Sequence, residues 1–453
     1  MKISSVRAGR VGVLLGLLLP ALAQAGLRLD LEANHLPQAR NSALQPASSA
    51  AVELDFSPQA RAGGWTYTLD LVGFARYAPD EGRRQHADLR EFIFTGTGER
   101  LEWRLGVGRV FWGVTEGAHL VDVINQDDAL ENLDGEDKLG QGMAVLGWRD
   151  PAYGQFQAFV LPHFRERRLP DAAGLELPFP LADGQPRYES AAGPRHVDHA
   201  LRWQHYAGSL DWAVSWFRGT AREPRFVPCA AQGSGRPGTD SGPNCDLDQA
   251  FAFEEPGALE LLLLELGSGL GLTPSREELE DEALAAALAD VVLVPAYDQI
   301  EQLGLEAQWV TGGWAFKFEG RRRLQRGRVD HAAVAGFEYT QGLAFNWPVD
   351  LGYIVEYLYD ERSGGESLSL FNNDVLLGLR ALFSDVAGTQ LLAGVIQDLD
   401  DRGRLFGLEF SRRLGADFSL AAELRIISDA APDQALALLS RSDFARLTLS
   451  YYW

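Results

Sequence analysis

At 453 residues the chain is long enough for two or three soluble domains, or for one large barrel. It carries 63 acidic against 41 basic residues, a formal net charge of −22, which argues against a nucleic-acid partner because phosphate rewards basic surfaces. Mean hydropathy is −0.13, ordinary for a soluble protein, so any membrane contact must come from a pattern whose apolar and polar positions average out.

The first 25 residues read as a secretory signal peptide. Lys2, Arg7 and Arg10 make a basic start, residues 11–19 an apolar run, and Ala23-Gln24-Ala25 a small-residue cleavage site before Gly26. No later stretch reaches the roughly 18 apolar residues of a transmembrane helix. The most apolar window, 259–272, is interrupted by Glu260, Glu265 and glycines. For an exported chain of this kind, a closed barrel is the remaining way to satisfy every backbone group in lipid.

From residue 26 onward the chain alternates. The pattern predicts strands over 27–35, 50–61, 65–79, 86–97, 101–112, 142–149, 154–165, 198–207, 210–221, 303–312, 314–325, 332–345, 349–361, 372–384, 389–400, 404–413, 418–429 and 444–453. That makes eighteen, with sixteen the competing count because 27–35 and 86–97 alternate most weakly. Trp314, Phe316 and Phe318 share one face while Lys317, Glu319, Arg321 and Arg323 share the other. Val349, Leu351, Tyr353, Val355, Tyr357 and Tyr359 likewise oppose Asp350, Gly352 and Glu356. A soluble sandwich would show such faces too, so strand number, connector parity and the two chain ends must decide.

Connector lengths carry that parity. Residues 61–64, 150–154, 208–209, 311–313, 346–348 and 415–417 are short and turn-like. Between them fall the longer, polar stretches 36–49, 113–141, 166–197, 222–302, 362–371 and 430–443. The connectors at 325–331 and 400–404 are short exceptions. Short turns on one side and long loops on the other match an up-and-down membrane barrel, and an even strand count puts both termini on the short-turn side.

The largest connector, 222–302, holds the only two cysteines, Cys229 and Cys245, and an exported pair predicts one disulfide. Its second half predicts a helix near 274–290, with Thr273 as cap, Pro274 at the first helical position and acidic residues in the first turns. The 113–141 connector is the acidic one: Glu116, His119, Asp122, Asp127, Asp128, Glu131 and Asp134 are its candidate functional residues, with Lys138 as the single lysine. Leu120, Val121, Val123, Ile124, Leu130 and Leu133 can anchor it to a wall. Basic residues at inward strand positions include Arg76, Arg90, Arg413 and Arg425; Arg104, Arg202, Lys317, Arg321 and Arg323 are expected to form the basic wall opposite the acids.

Three segments resemble known proteins. The final strand places Leu447, Leu449, Tyr451 and Trp453 on one face and ends on an aromatic residue. It resembles the terminal strand that Gram-negative outer-membrane β-barrels use as an assembly signal, with Tyr451 and Trp453 as the signal residues. The 113–141 connector resembles, by position and acidity, the third outer loop that folds into the lumen of general porins. Gly108-Arg109-Val110-Phe111-Trp112-Gly113, followed by Ile124-Asn125 and Asp127, resembles a large group of uncharacterised proteobacterial outer-membrane barrels.

These resemblances imply an all-β fold: a transmembrane antiparallel up-and-down β-barrel at the cell outer membrane with an inward third loop. The function implied is a channel for small polar or charged solutes, not an enzyme, with no cofactor and no metal. Implied partners are outer-membrane lipid, lipopolysaccharide, the barrel assembly machinery and the solutes themselves, with a homotrimer as the porin-like assembly. A plugged barrel acting in assembly, export or interaction is the alternative, the 274–290 helix being its plug. A surface enzyme is the third reading, but neither Gly-x-Ser-x-Gly nor a phosphate-binding Gly-x-x-x-x-Gly-Lys-Ser/Thr is present.

Overall fold

The computed structural model describes residues 26–36, 45–79, 82–169, 179–182, 184–231, 245, 291–362, 369, 371–430, 436, 439 and 443–453. The expected signal peptide (1–25) and the expected helix near 274–290 lie outside the described residues.

Eighteen antiparallel staves form one closed barrel. They are β1 (Gly26–Leu36), β2 (Gln45–Phe56, continued by Gln59–Ala62), β3 (Trp65–Tyr77), β4 (His86–Thr97), β5 (Leu101–Gly108), β6 (Gln141–Asp150), β7 (Gly154–Leu161), β8 (Asp198–Ala207) and β9 (Leu210–Thr220). Then follow β10 (Gln299–Thr311), β11 (Trp314–Gln325), β12 (Arg328–Gln341), β13 (Val349–Asp360), β14 (Asn373–Phe383), β15 (Gln390–Asp398), β16 (Arg404–Leu414), β17 (Phe418–Ser428) and β18 (Phe444–Tyr452). Each pairs with the next, and β1 pairs with β18 from Arg28 opposite Tyr452 to His35 opposite Ala445. Leu27 and Trp453 close the seam, their N–H groups donating to each other's carbonyls at 3.0 and 2.9 Å. Closure leaves no free sheet edge.

The count is therefore eighteen, and both weak segments are true strands. The 86–97 pattern is weak for a physical reason. Glu91 pairs with Val72 and Leu89 with Gly73, so Arg90 is an extra residue in a β-bulge and the alternation breaks there. Several ends also differ from the sequence expectation. β5 stops at Gly108 and β7 at Leu161, while β2 starts at Gln45 and β10 at Gln299. A separate three-stranded sheet, unforeseen from the sequence, joins Arg187–Tyr188, Arg225–Ala230 and Val291–Tyr297 beyond the long-loop end. Cys229, wholly buried in this sheet, is disulfide-bonded to Cys245.

The barrel is inverted in polarity. Outward residues such as Leu31, Leu105, Leu146, Leu201 and Leu377 are exposed, while inward Glu32, Arg76, Glu319, Arg321 and Glu356 are buried. Aromatic side chains stack across strands close to the short turns: Phe94 on Trp103 (5.2 Å between centroids), Phe156 on Trp203 (5.4 Å), Trp314 on Tyr339 (4.6 Å) and Phe418 on Tyr451 (4.9 Å). Such contacts add about 0.5–1.5 kcal/mol each beyond area burial.

Candidate functional site: the loop within the barrel

The segment between β5 and β6 turns into the lumen instead of outward. Its root is fixed by Asn125, which is 1% exposed. The Asn125 Oδ1 accepts the Val110 N–H at 2.8 Å, and its Nδ2 donates to the carbonyls of Gly108 and Leu139, each at 2.9 Å. One side chain thus staples the two ends of the loop together. Trp112, Val121, Val123 and Ile124 then pack against Ile93, Met143, Val145, Phe159, Leu161, Phe217 and Ile300 of the wall. Burying one such side chain contributes about 1.5–3 kcal/mol.

The loop tip crosses to the opposite wall. There Glu319 on β11 accepts the Val114 and Thr115 N–H groups at 2.7 and 3.1 Å and the Thr115 hydroxyl at 2.8 Å. Glu356 on β13 accepts the N–H groups of Glu116 and Gly117 at 2.9 and 2.8 Å. The loop answers with its own carboxylate: Glu116 receives Lys317 Nζ at 2.7 Å and Arg380 Nη2 at 2.8 Å. Burial opposes ionisation of Glu116, but Lys317 and then Arg380 hold it below its ordinary value. His119 Nε2 donates to Glu136 at 2.7 Å, while its Nδ1 lies 3.9 Å from Glu319, a charge contact rather than a hydrogen bond. Burial opposes the His119 charge; Glu136 and Glu319 outweigh it and raise the ring to about 10.

The returning arm is laced to the barrel by ion pairs. Lys138 sits between Asp122 (3.0 Å) and Asp127 (2.6 Å), and Asp127 also meets Arg167. Asp122 is raised by burial despite Lys138, whereas Arg167 and Lys138 overcome the same penalty at Asp127 and lower it. Asp128 lies 3.4 Å from His86 and 3.7 Å from Arg90. Glu131 accepts Arg76 in a two-pronged pair at 2.8 and 2.5 Å. Asp134 lies 3.5 Å from Arg425, and burial pushes its carboxyl up to about 7.

Of the five wall cations expected to face the acids, Lys317 meets Glu116 directly. The other four are engaged elsewhere. Arg104 turns to Glu102 on its own strand at 2.7 Å. Arg202 pairs with Glu306 and lies over the Trp112 ring, 5.4 Å from its centroid. Arg321 binds Asp330 and Asp360 at 2.7 and 2.9 Å, and Arg323 binds Gln302 at 3.0 Å. An inward carboxylate or amide two residues along, or on a neighbouring strand, is nearer to these arginines than the loop is. The loop's acids are met instead by Arg76, Arg90, Arg167, Arg380 and Arg425. Inward parity had marked three of these; Arg167, in a loop, and Arg380 were missed. The wall acceptors Glu319 and Glu356 were legible as inward residues, but not as backbone acceptors.

Open space remains on either side of the tip. On the short-turn side a cavity of about 550 Å³ is bounded by Val114, Arg149, Arg202, Gln204 and Glu306. A second, of about 230 Å³, separates Glu116, His119 and Glu136 of the loop from the wall formed by β14, β15 and β16.

No family model and no curated protein matches the chain. Among solved structures, a BenF-like porin from Pseudomonas fluorescens Pf-5 superposes with a TM-score of 0.48 at 10% identity, covering 94% of this chain and 97% of that one. OccK8 (OprE) of Pseudomonas aeruginosa gives 0.47 at 11% identity, over 95% and 97%. An engineered mutant of the Rh. blastica porin gives 0.40 at 9%, over 95% and 99%. At this level of likeness the barrel rests on its own strand pairing.

Proposed function

We propose that this chain is a channel of the cell outer membrane, passing small polar or charged solutes through a lumen narrowed by residues 113–141. The observation that carries this reading is a closed barrel with a charged interior, an apolar exterior and a loop seated inside it. In water that exterior would be an aggregation surface; in lipid it is the side that is already solvated. Aromatic stacks beside the short turns suit the bilayer interface. In this reading Glu116, His119, Asp122, Asp127, Asp128, Glu131 and Asp134 shape the constriction, the short turns and both termini face the periplasm, and 222–302 lies outside the cell. Tyr451 and Trp453 serve the assembly machinery, and assembly as a trimer belongs to the same proposal.

The test is single-channel conductance of refolded protein in a planar bilayer, with a salt gradient to read ion selectivity. Stable open steps are expected, and deleting 120–137 should enlarge them. A second reading, a plugged barrel, draws support from the density of contacts between the loop and the wall. Folded, inserted protein without steps would favour it.

A further inference from the structure

Three inward rows cross β14, β15 and β16 in register. Nearest the long-loop end are Leu376, Ile396 and Leu405. Next come Gly378, Gly394 and Gly407, three glycines side by side. Below them are Arg380, Leu392 and Glu409. The three are not equally open: a Cβ added at Gly378 would lie 3.2 Å from Ile354 and at Gly394 3.3 Å from Leu376, whereas at Gly407 it would meet nothing within 4 Å. The glycine notch in the wall is therefore centred on Gly407, with Ile354 and Leu376 covering its two neighbours, and it faces Glu116 to His119 of the tip across the 230 Å³ cavity.

The charges around this notch balance with one exception. Arg380 is shared by Glu116 (2.8 Å) and Glu338 (3.1 Å). Arg425 leans on Asn132 at 2.7 Å and Asp134 at 3.5 Å. Glu423 has Arg446 at 3.3 Å, and Glu136 has His119 at 2.7 Å. Glu409 is exposed to the lumen and has no hydrogen bond or ion pair among the described residues. Above this carboxylate stands an apolar wall of Leu376, Ile396 and Leu405, with Phe371 also lining the cavity. An aromatic face attracts cations, and apolar wall gains from dehydrating an apolar body.

We infer that the glycine notch is the passage, and that its preferred solute is an organic cation with an apolar body, the ammonium resting on Glu409. This rests on the channel reading. It also separates two properties: the notch sets size, and Glu409 with the leucine–isoleucine row sets chemistry. An organic anion of equal size would meet Glu409 as a like charge, because the nearby arginines already hold carboxylates.

The experiment uses the full-length refolded protein in a planar bilayer, with phenethylammonium, methylammonium and phenylacetate as probes. Phenethylammonium should carry or block current at lower concentration than either of the others. Glu409→Gln should weaken that preference about tenfold, the scale of losing one ion contact. Gly407→Leu should cut conductance at least in half while leaving the heat-dependent gel shift of the folded barrel unchanged. Open steps that Gly407→Leu does not alter would place the passage elsewhere. Open steps with phenylacetate preferred would overturn the assigned solute class. Folded protein with no steps at all would remove the channel reading itself, and this inference with it.

Discussion

The two halves of the lumen are built on opposite principles. Beside β4, β6, β7 and β9 the loop root is a solid apolar core, with Trp112, Val121, Val123 and Ile124 each under 5% exposed. Beside β14, β15 and β16 the inward residues include three aligned glycines, and a cavity lies between this wall and much of the tip. The first half resembles the interior of a soluble protein and holds the loop by hydrophobic burial. Across the lumen, Lys317, Glu319, Glu356 and Arg380 hold its tip by charge and hydrogen bonds. In the proposed channel a constriction would need both: a root that does not move, and a tip held in place without filling the remaining gap.

The largest expected effect comes from breaking the solid half. Trp112→Ala removes a side chain that is 1% exposed and packs edge-on against Phe159 at 5.5 Å. Its expected cost is about 3–5 kcal/mol, the range for large aromatic truncations in a packed core. Urea titration of the heat-dependent gel shift measures it, and the same variant should show noisier, larger conductance. A variant as stable and as quiet as the parent would mean that the root is not held by this core.

Next in size is the tip. Glu319→Leu leaves the Val114 and Thr115 N–H groups, and the more distant Val121 N–H at 3.4 Å, without their acceptor, in a site where Glu319 is fully buried. Each orphaned buried donor costs about 1–3 kcal/mol, so the tip should detach while the root stays packed. Rapid hydrogen exchange confined to 113–119 is the expected signature. Exchange that spreads equally through 123–125 would show that the two halves are not independent.

Acidity should separate the halves more gently. Glu116 is held below its ordinary 4.5, so its clamp is complete above that value and is lost as pH falls further. His119 is raised from 6.5 to about 10, so its charged contact with Glu136 is complete below 6.5 and is lost as pH rises through 10. Burial raises Asp134 from 3.8 to about 7, so ionising it on the way to pH 7 works against its seat beside Arg425. Tip fluctuations, read as open-channel current noise, should thus be least near pH 5–6 and grow toward both extremes. His119→Asn should flatten the final alkaline rise near pH 10, and an unchanged alkaline arm would rule the His119 contact out as its source.

The barrel was legible in the sequence because most staves alternate apolar and polar residues, so their inside and outside sort without knowing any contact. Val349 to Asp360 shows the case at its simplest. The loop's position and acidity were legible too, because eight carboxylates fall within the 29 residues of 113–141. Its partners were not. Parity says that Arg104 and Arg202 point inward, but not at what height, and an arginine side chain settles on the nearest carboxylate. The glycine row escaped because its residues come from three separate strands, and only the register aligns Gly378, Gly394 and Gly407. A glycine in one strand is commonplace; three abreast is a statement about pairing.

Arg104 supplies the smallest expected effect and the sharpest check on height. Its guanidinium lies 2.7 Å from Glu102, two residues away on β5, and both are partly open to solvent near the short turns. Arg104→Ala removes one partly exposed ion pair, which contributes about 0–1 kcal/mol and is further weakened by salt. The unfolding midpoint should hardly move. Conductance and the reversal potential should also stay close to those of the parent, because the loop's acids are already met by Arg76, Arg90, Arg167, Arg380 and Arg425. Arg380→Ala is the matched comparison, since it takes one of the two cations from Glu116 and should unsettle the tip. If Arg104→Ala shifted selectivity as much as Arg380→Ala, the narrowest point would lie toward the short turns, below the glycine notch.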